Sequence, residues 1–323
     1  MSRHVVAGTR IVETTVEGFA ARTLVSPQGT LEATFVTGAG MVGSSLRHEG
    51  AELLDPRGGV ARYAAQGATM GLPLLHPWAN RLAGFRYTAA GRTVTLSTAS
   101  GVLHLDGNGL PIHGLLPGRS RWEVTAAEAT PSAARLETRM VFSTDPALLE
   151  AFPFPHEVHL DVTLRDDALV VATTLSATGD VAVPVSFGFH PYLRLPGVPR
   201  EQWVVDLPVR QRLVLDQRQL PTGAREAVRN DPAPLADRTF DDAFLAPPAG
   251  ESFTATGGGR RIAVEFVRGY AAAQVFSPPH AAFICFEPMT APANTLVRGG
   301  PDLRLVEPGA RFTAEFAIRV ARA

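Results

Sequence analysis

Apolar and polar residues alternate over short stretches along most of this chain, as in Arg121-Trp122-Glu123-Val124-Thr125 and in residues 159–164, 261–266 and 311–320. A period of two sends successive side chains to opposite faces, so each stretch predicts a half-buried β-strand. Clusters of glycine, proline and aspartate separate the stretches, and 30 glycines with 26 prolines are enough to interrupt helices repeatedly. No helix longer than about three turns is expected, and residues 146–152 are the best candidate for a helical turn. Gly257-Gly258-Gly259 lacks the following helix that a phosphate-cradling loop needs and predicts a hairpin turn instead. Many short strands divided by turns predict an all-β fold of two packed antiparallel sheets or a barrel, and the length favours a large antiparallel β-sandwich. A single domain spanning 1–323 is expected, with no internal repeat and with residues 221–237 as a surface excursion.

Composition narrows the function. All 30 basic residues are arginine, which removes a Schiff-base lysine, a pyridoxal-phosphate lysine and the lysine of a P-loop. The net charge of -1 and the absence of any block of like charges argue against a nucleic-acid partner. Cys285, the sole cysteine, has no internal disulfide partner and stands inside an apolar run where a buried thiol is expected. The opening Met1-Ser2-Arg3-His4-Val5-Val6-Ala7-Gly8 lacks the apolar segment of a signal peptide, and no later run approaches the ~18 apolar residues of a membrane span. A soluble cytoplasmic protein with no membrane partner is the default expectation.

Two places carry the chemistry. The apolar run Ala282-Phe283-Ile284-Cys285-Phe286 ends on Glu287-Pro288, and Ser186-Phe187-Gly188-Phe189 ends on His190-Pro191-Tyr192. Proline restricts the residue before it to extended backbone, so each side chain's direction is largely set. A carboxylate and an imidazole held this way just outside strands form the minimum pair for taking one proton from a substrate and giving it another. Three further clusters interrupt the apolar pattern. Residues 71–82 carry Asn80 and Arg81, whose guanidinium can donate several hydrogen bonds in a fixed fork. Ile112-His113-Gly114 puts a histidine where backbone can approach a ligand closely, and Phe240-Asp241-Asp242-Ala243-Phe244 offers paired carboxylates. By contrast, His156 and His159, three apart on a strand, project to opposite faces and cannot share a metal ion. Trp78 and Phe189 are expected in the core.

Taken in order, Pro77-Trp78-Ala79-Asn80-Arg81-Leu82, Ile112-His113-Gly114, His190-Pro191-Tyr192-Leu193, Phe240-Asp241-Asp242-Ala243-Phe244, Ala273-Gln274-Val275-Phe276 and Phe286-Glu287-Pro288-Met289-Thr290 resemble the aldose 1-epimerase (galactose mutarotase) family over most of the chain. The resemblance implies a galactose mutarotase-like supersandwich with few short helices and a sugar cleft on one concave sheet. It implies Glu287 as general base and His190 as general acid, with Asn80, Arg81, His113, Tyr192, Asp241 and Gln274 at hydroxyl-binding positions. Asp241 is preferred to Asp242 because two residues separate it from the phenylalanine. Leu193-Arg194 and Leu115 depart from the family pattern, which bears on the choice of sugar and leaves the acid–base pair intact. The implied reaction interconverts the α and β anomers of an aldohexose by ring opening and reclosure, with a small-molecule sugar as substrate, no cofactor and no metal, in a monomer or homodimer. With reference values of about 4.3 for glutamate and 6.5 for histidine, Glu287 is expected ionised and His190 able to donate. A non-catalytic carbohydrate-binding protein is the alternative. So is a mutarotase for a hexose 6-phosphate or an unusual sugar, for which Arg86 and Arg194 are the candidate anion contacts.

Overall fold

The computed structural model describes residues 8–116, 118, 121–229 and 231–323, so the opening Met1 to Ala7 read above lies outside the described residues. Three antiparallel sheets dominate. The strands Arg10–Val16, Phe19–Val25, Leu31–Val36, Val42–His48 and Ala51–Glu52 form a five-stranded meander. A nine-stranded sheet runs in the order Ala233–Pro234, Val204–Asp206, Ser252–Gly257, Arg260–Arg268, Arg311–Arg322, Ala168–Ala177, His156–Leu164, Ala133–Val141 and Glu123–Thr130. An eight-stranded sheet runs from Pro221–Ala227 through Gln211–Leu215, Phe240–Leu245, Ala272–Ser277 and Ile284–Met289 to Gly188–Phe189 and Leu74–Leu75. Tyr192–Leu193 also pairs with Ile284–Met289, beyond the end of Gly188–Phe189.

The predicted alternation decides which faces meet. From His156 to Leu164 every second residue is buried and the others are partly exposed, and the buried set includes Val158, Leu160, Val162 and Leu164. These join one large core with residues from the back of the eight-stranded sheet. Phe286 stacks on Phe253 with ring centroids 5.5 Å apart, and Phe189 lies 4.9 Å from Phe316, so the two large sheets are fastened face to face. Each such ring removed from water stabilises the fold by roughly 1.5–3 kcal/mol. Trp78 and Cys285 are fully buried, as expected.

Residues 146–152 hold the helix Pro146–Ala151, capped by the Asp145 carboxylate accepting from Ala147 N–H at 2.9 Å. The Gly257–Gly259 run closes the hairpin between Ser252–Gly257 and Arg260–Arg268, with Gly258 and Gly259 both at positive φ. Two features left no mark in the sequence pattern. The eight-residue helix Gly59–Gln66 falls in a glycine-flanked stretch too short to show a period. Residues 221–237 contain the edge strands Pro221–Ala227 and Ala233–Pro234; neither buries a face, so neither leaves an alternating trace. No helix among the described residues is long and apolar enough to cross a membrane.

Candidate active site

The strand Ile284–Met289 explains the site. Ile284 and Phe286 point into the core between the large sheets, so Cys285, Glu287 and Met289 point the other way. Glu287 therefore sits within the strand rather than past its end, and Pro288 occupies an interior strand position. Met289 C=O accepts from Ala271 on one side and Thr290 N–H donates to Phe187 on the other. Alternation turns Pro288 toward the break between Gly188–Phe189 and Tyr192–Leu193, where its missing N–H costs no ladder bond.

His190 occupies that break. Its N–H donates to Pro73 C=O at 3.2 Å, and its Nε2 lies 3.3 Å from Glu287 Oε1. Gly188 makes the approach possible, because a Cβ there would lie 2.6 Å from Pro288 O and 2.9 Å from Ala79 Cβ. Tyr192 stacks on the His190 ring at 4.4 Å and 15°, and its hydroxyl is fixed by Thr69 Oγ1 at 2.7 Å. His113 meets the same ring edge-on at 5.4 Å and Phe276 at 5.9 Å.

The neighbouring strands add the polar groups. Gln274 stands opposite Glu287 in register and donates from Nε2 to Asp241 Oδ1 at 2.7 Å. Asp242 points to the other face, 3.5 Å from Arg212 Nη1. Asn80 is held at φ 54°, with its Oδ1 accepting from Arg81 N–H and its carbonyl from His113 N–H, both at 2.8 Å. Gly114 follows at φ 72°, where a Cβ would lie 2.2 Å from His76 O, so the His113 loop closes onto the Arg81 loop only with glycine. Thus Asn80, Arg81, His113, His190, Tyr192, Asp241, Gln274 and Glu287 form one contiguous cluster.

Electrostatics reverses one expectation. Burial drives the Glu287 carboxyl well above the usual range, the nearby Asp241 charge pushes the same way, and Arg81 opposes both. Burial lowers His190 to about 3 and holds His113 well below its ordinary value. Both shifts favour a neutral carboxylic acid beside a neutral imidazole over an ion pair across the 3.3 Å contact in the protein without sugar. Asp241 is also raised, chiefly by burial. Glu287 Oε2 and His113 Nδ1 are buried without a hydrogen-bond partner, as groups built to meet a polar ligand would be.

Arg86 lies exposed on the small hairpin strand Arg86–Ala89, and Arg194 Nε donates to Glu52 C=O at 3.2 Å. The guanidinium groups whose charges reach the pair are instead Arg81 and Arg57. Thr69, Arg57 and Asp106 had no mark in the sequence beyond turn residues. His156 is buried while His159 is 40% exposed, and no group of three or more metal-ligating side chains gathers among the described residues.

Residues 27–319 match the model of the aldose 1-epimerase family, and the chain belongs to that family. It is 25% identical over 295 residues to the Escherichia coli K12 protein YihR, covering 87% of each chain. Among solved structures it is similar to a galactose mutarotase-like protein from Clostridium acetobutylicum (TM-score 0.85, 16% identity, covering 98% of this chain and 99% of that one). It is likewise similar to galactose 1-epimerase from Lactobacillus acidophilus NCFM (TM-score 0.77, 14% identity, 98% and 99%). These likenesses show a galactose mutarotase-like, all-β antiparallel fold.

Proposed function

We propose that the chain, as one domain, interconverts the α and β anomers of an aldohexose, with Glu287 and His190 as its proton-transferring pair. The observation that carries this reading is the 3.3 Å approach of His190 Nε2 to Glu287 Oε1 among Asn80, Arg81, His113, Tyr192, Asp241 and Gln274. One proton belongs to this pair besides the one on the far imidazole nitrogen. With it on His190, the Glu287 carboxylate removes the proton from the sugar's C1 hydroxyl while the imidazolium protonates the ring oxygen. The C1–O5 bond breaks and the C1 carbonyl forms. The pair is left as carboxylic acid and neutral imidazole. Rotation about C1–C2 presents the other face of the aldehyde, and the same two transfers in reverse close the ring. Protons balance over the cycle, and the chemistry calls on no cofactor.

Arg81 favours the carboxylate form of Glu287. On this reading Arg81, Asp241, Gln274, Asn80, His113 and Tyr192 fix the remaining hydroxyls, so that O1 and O5 address the pair. Polarimetry of freshly dissolved α-D-glucose and α-D-galactose tests the proposal. The protein is expected to accelerate equilibration, and Glu287→Gln to reduce kcat by about 10²–10⁴-fold while remaining folded. Sugar binding without acceleration would instead identify a carbohydrate-binding protein, and undiminished turnover in Glu287→Gln would remove Glu287 from the mechanism.

A further inference from the structure

We infer that Asp106, which touches no reacting atom, is the positioning residue that aims Arg81 into the sugar cleft; this rests on the function proposed above. Arg81 Nε donates to Asp106 Oδ2 at 2.8 Å, with the two side chains only 13% and 6% exposed. The two carboxylate oxygens have different tasks. Oδ1 closes its own turn by accepting from Asn108 N–H at 2.8 Å and Leu110 N–H at 3.0 Å. That leaves Oδ2 for the guanidinium.

The turn is closed again by Asp106 N–H donating to Leu110 C=O and Gly109 N–H donating to Asp106 C=O. It is then sewn to the Arg81 segment: Leu82 N–H donates to Pro111 C=O and His113 N–H to Asn80 C=O, both at 2.8 Å, and Arg81 bridges Ile112. Neither end of the contact can drift from the other. Because Asp106 takes the Nε edge, the two terminal nitrogens have no protein acceptor among the described residues. Their charge is felt at Glu287, Asp241 and His113, the groups surrounding the acid–base pair. A planar guanidinium pinned along one edge has its remaining N–H groups fixed in direction, and a hydroxyl-binding site needs that.

The test is steady-state kinetics on Asp106→Asn, which keeps the turn-closing Oδ1 and sets an N–H₂ against Arg81 Nε. We expect KM for the preferred aldose to rise about tenfold or more with kcat within about threefold, the signature of lost binding rather than lost chemistry. A merely structural role would lower kcat through a smaller folded fraction and leave KM unmoved, which would overturn the inference. Asp106→Glu, which keeps the charge but displaces it, serves if the asparagine variant does not fold; an unchanged KM there also overturns it. Combined with Arg81→Gln, Asp106→Asn should cost nothing further, whereas multiplying effects would show that Asp106 does not act through Arg81. Calorimetric titration of the aldose into Glu287→Gln, with and without Asp106→Asn, reads the same loss of affinity with no turnover. Failure of the anomerase reading would leave that comparison intact.

Discussion

Lowering the pH should unfold this protein through a pair of histidines that perform no chemistry. His156 is fully buried, stacks on Phe142 at 4.3 Å, and lies with its Nδ1 2.6 Å from Phe154 C=O and its Nε2 2.7 Å from His76 Nε2. With Nδ1–H donating to the carbonyl, His156 Nε2 must accept, so His76 Nε2–H donates and both rings are neutral. Burial lowers His156 from the ordinary 6.5 to about 4 and takes His76 well below it. Below pH 6.5 the unfolded chain therefore binds protons that the folded chain refuses. Stability contributed by His156 is complete above 6.5 and is lost as the pH falls toward 4. At about 1.4 kcal/mol per pH unit this amounts to on the order of 3 kcal/mol from His156 alone. His156→Phe removes the titrating ring from a slot that already accommodates an aromatic stack. It should cost about 1–3 kcal/mol at pH 7, because His76 Nε2–H loses its acceptor. Between pH 6.5 and 4, however, the variant should lose about 3 kcal/mol less than wild type. Urea unfolding followed by tryptophan fluorescence at half-unit pH intervals reads both effects. Parallel pH curves for the two proteins would refute the reasoning.

Tyr192→Leu strips the stacked ring from His190 and should raise that histidine from about 3 toward 6.5, followed by NMR titration of its Cε1 proton; a value that does not move would show that Tyr192 does not maintain the desolvation. Gly188→Ala places a methyl 2.6 Å from Pro288 O and should destabilise by about 1–3 kcal/mol in chemical denaturation and depress kcat by misplacing His190, so wild-type stability and turnover would contradict the close approach. The pH–rate profile should be broad: burial lowers His190 and raises Glu287, so the pair keeps its single mobile proton from about pH 3 to above the usual carboxylate range. Activity should show no acid limb at the usual carboxylate or histidine values in a short assay and should fall on the alkaline side; a narrow bell between 4.5 and 6.5 would indicate solvated groups.

The all-β architecture was legible because a half-buried strand repeats every two residues, and His156–Leu164 and Arg311–Arg322 show that repeat over most of their length. The pair Glu287 and His190 was visible because proline follows each. Its depth was not: the eight-stranded sheet carries Glu287 inside a strand with every residue from Ile284 to Met289 buried, and such a strand shows no alternation. Partners brought together by loops were also invisible. Asp106 lies in Leu105-Asp106-Gly107-Asn108-Gly109, which signals only a turn, and its reach to Arg81 depends on how two loops are sewn together. His76 and His156, 80 positions apart, meet only because strand packing buries both.

Burial of the acid–base pair bears on rate as well as on ionisation. Carboxylic acid with neutral imidazole, and carboxylate with imidazolium, contain the same protons and differ only by charge separation across 3.3 Å. Desolvation favours the neutral form, Asp241 disfavours the charge on Glu287, and Arg81 is the fixed group that supports it. On the proposed mechanism a closed sugar is attacked by the charge-separated form, and ring opening leaves the neutral one. The buried site thus stabilises the state reached at the open aldehyde relative to the state that attacks either anomer, and it does so equally from the α and the β side. A water-filled site would solvate the separated charges, populating the attacking form while weakening the drive toward the open aldehyde. Arg81 opposes that bias by lowering the Glu287 carboxyl, and its charge stays beside the pair whether or not Asp106 holds its edge, so Asp106 governs where the Arg81 N–H groups point rather than how Glu287 ionises.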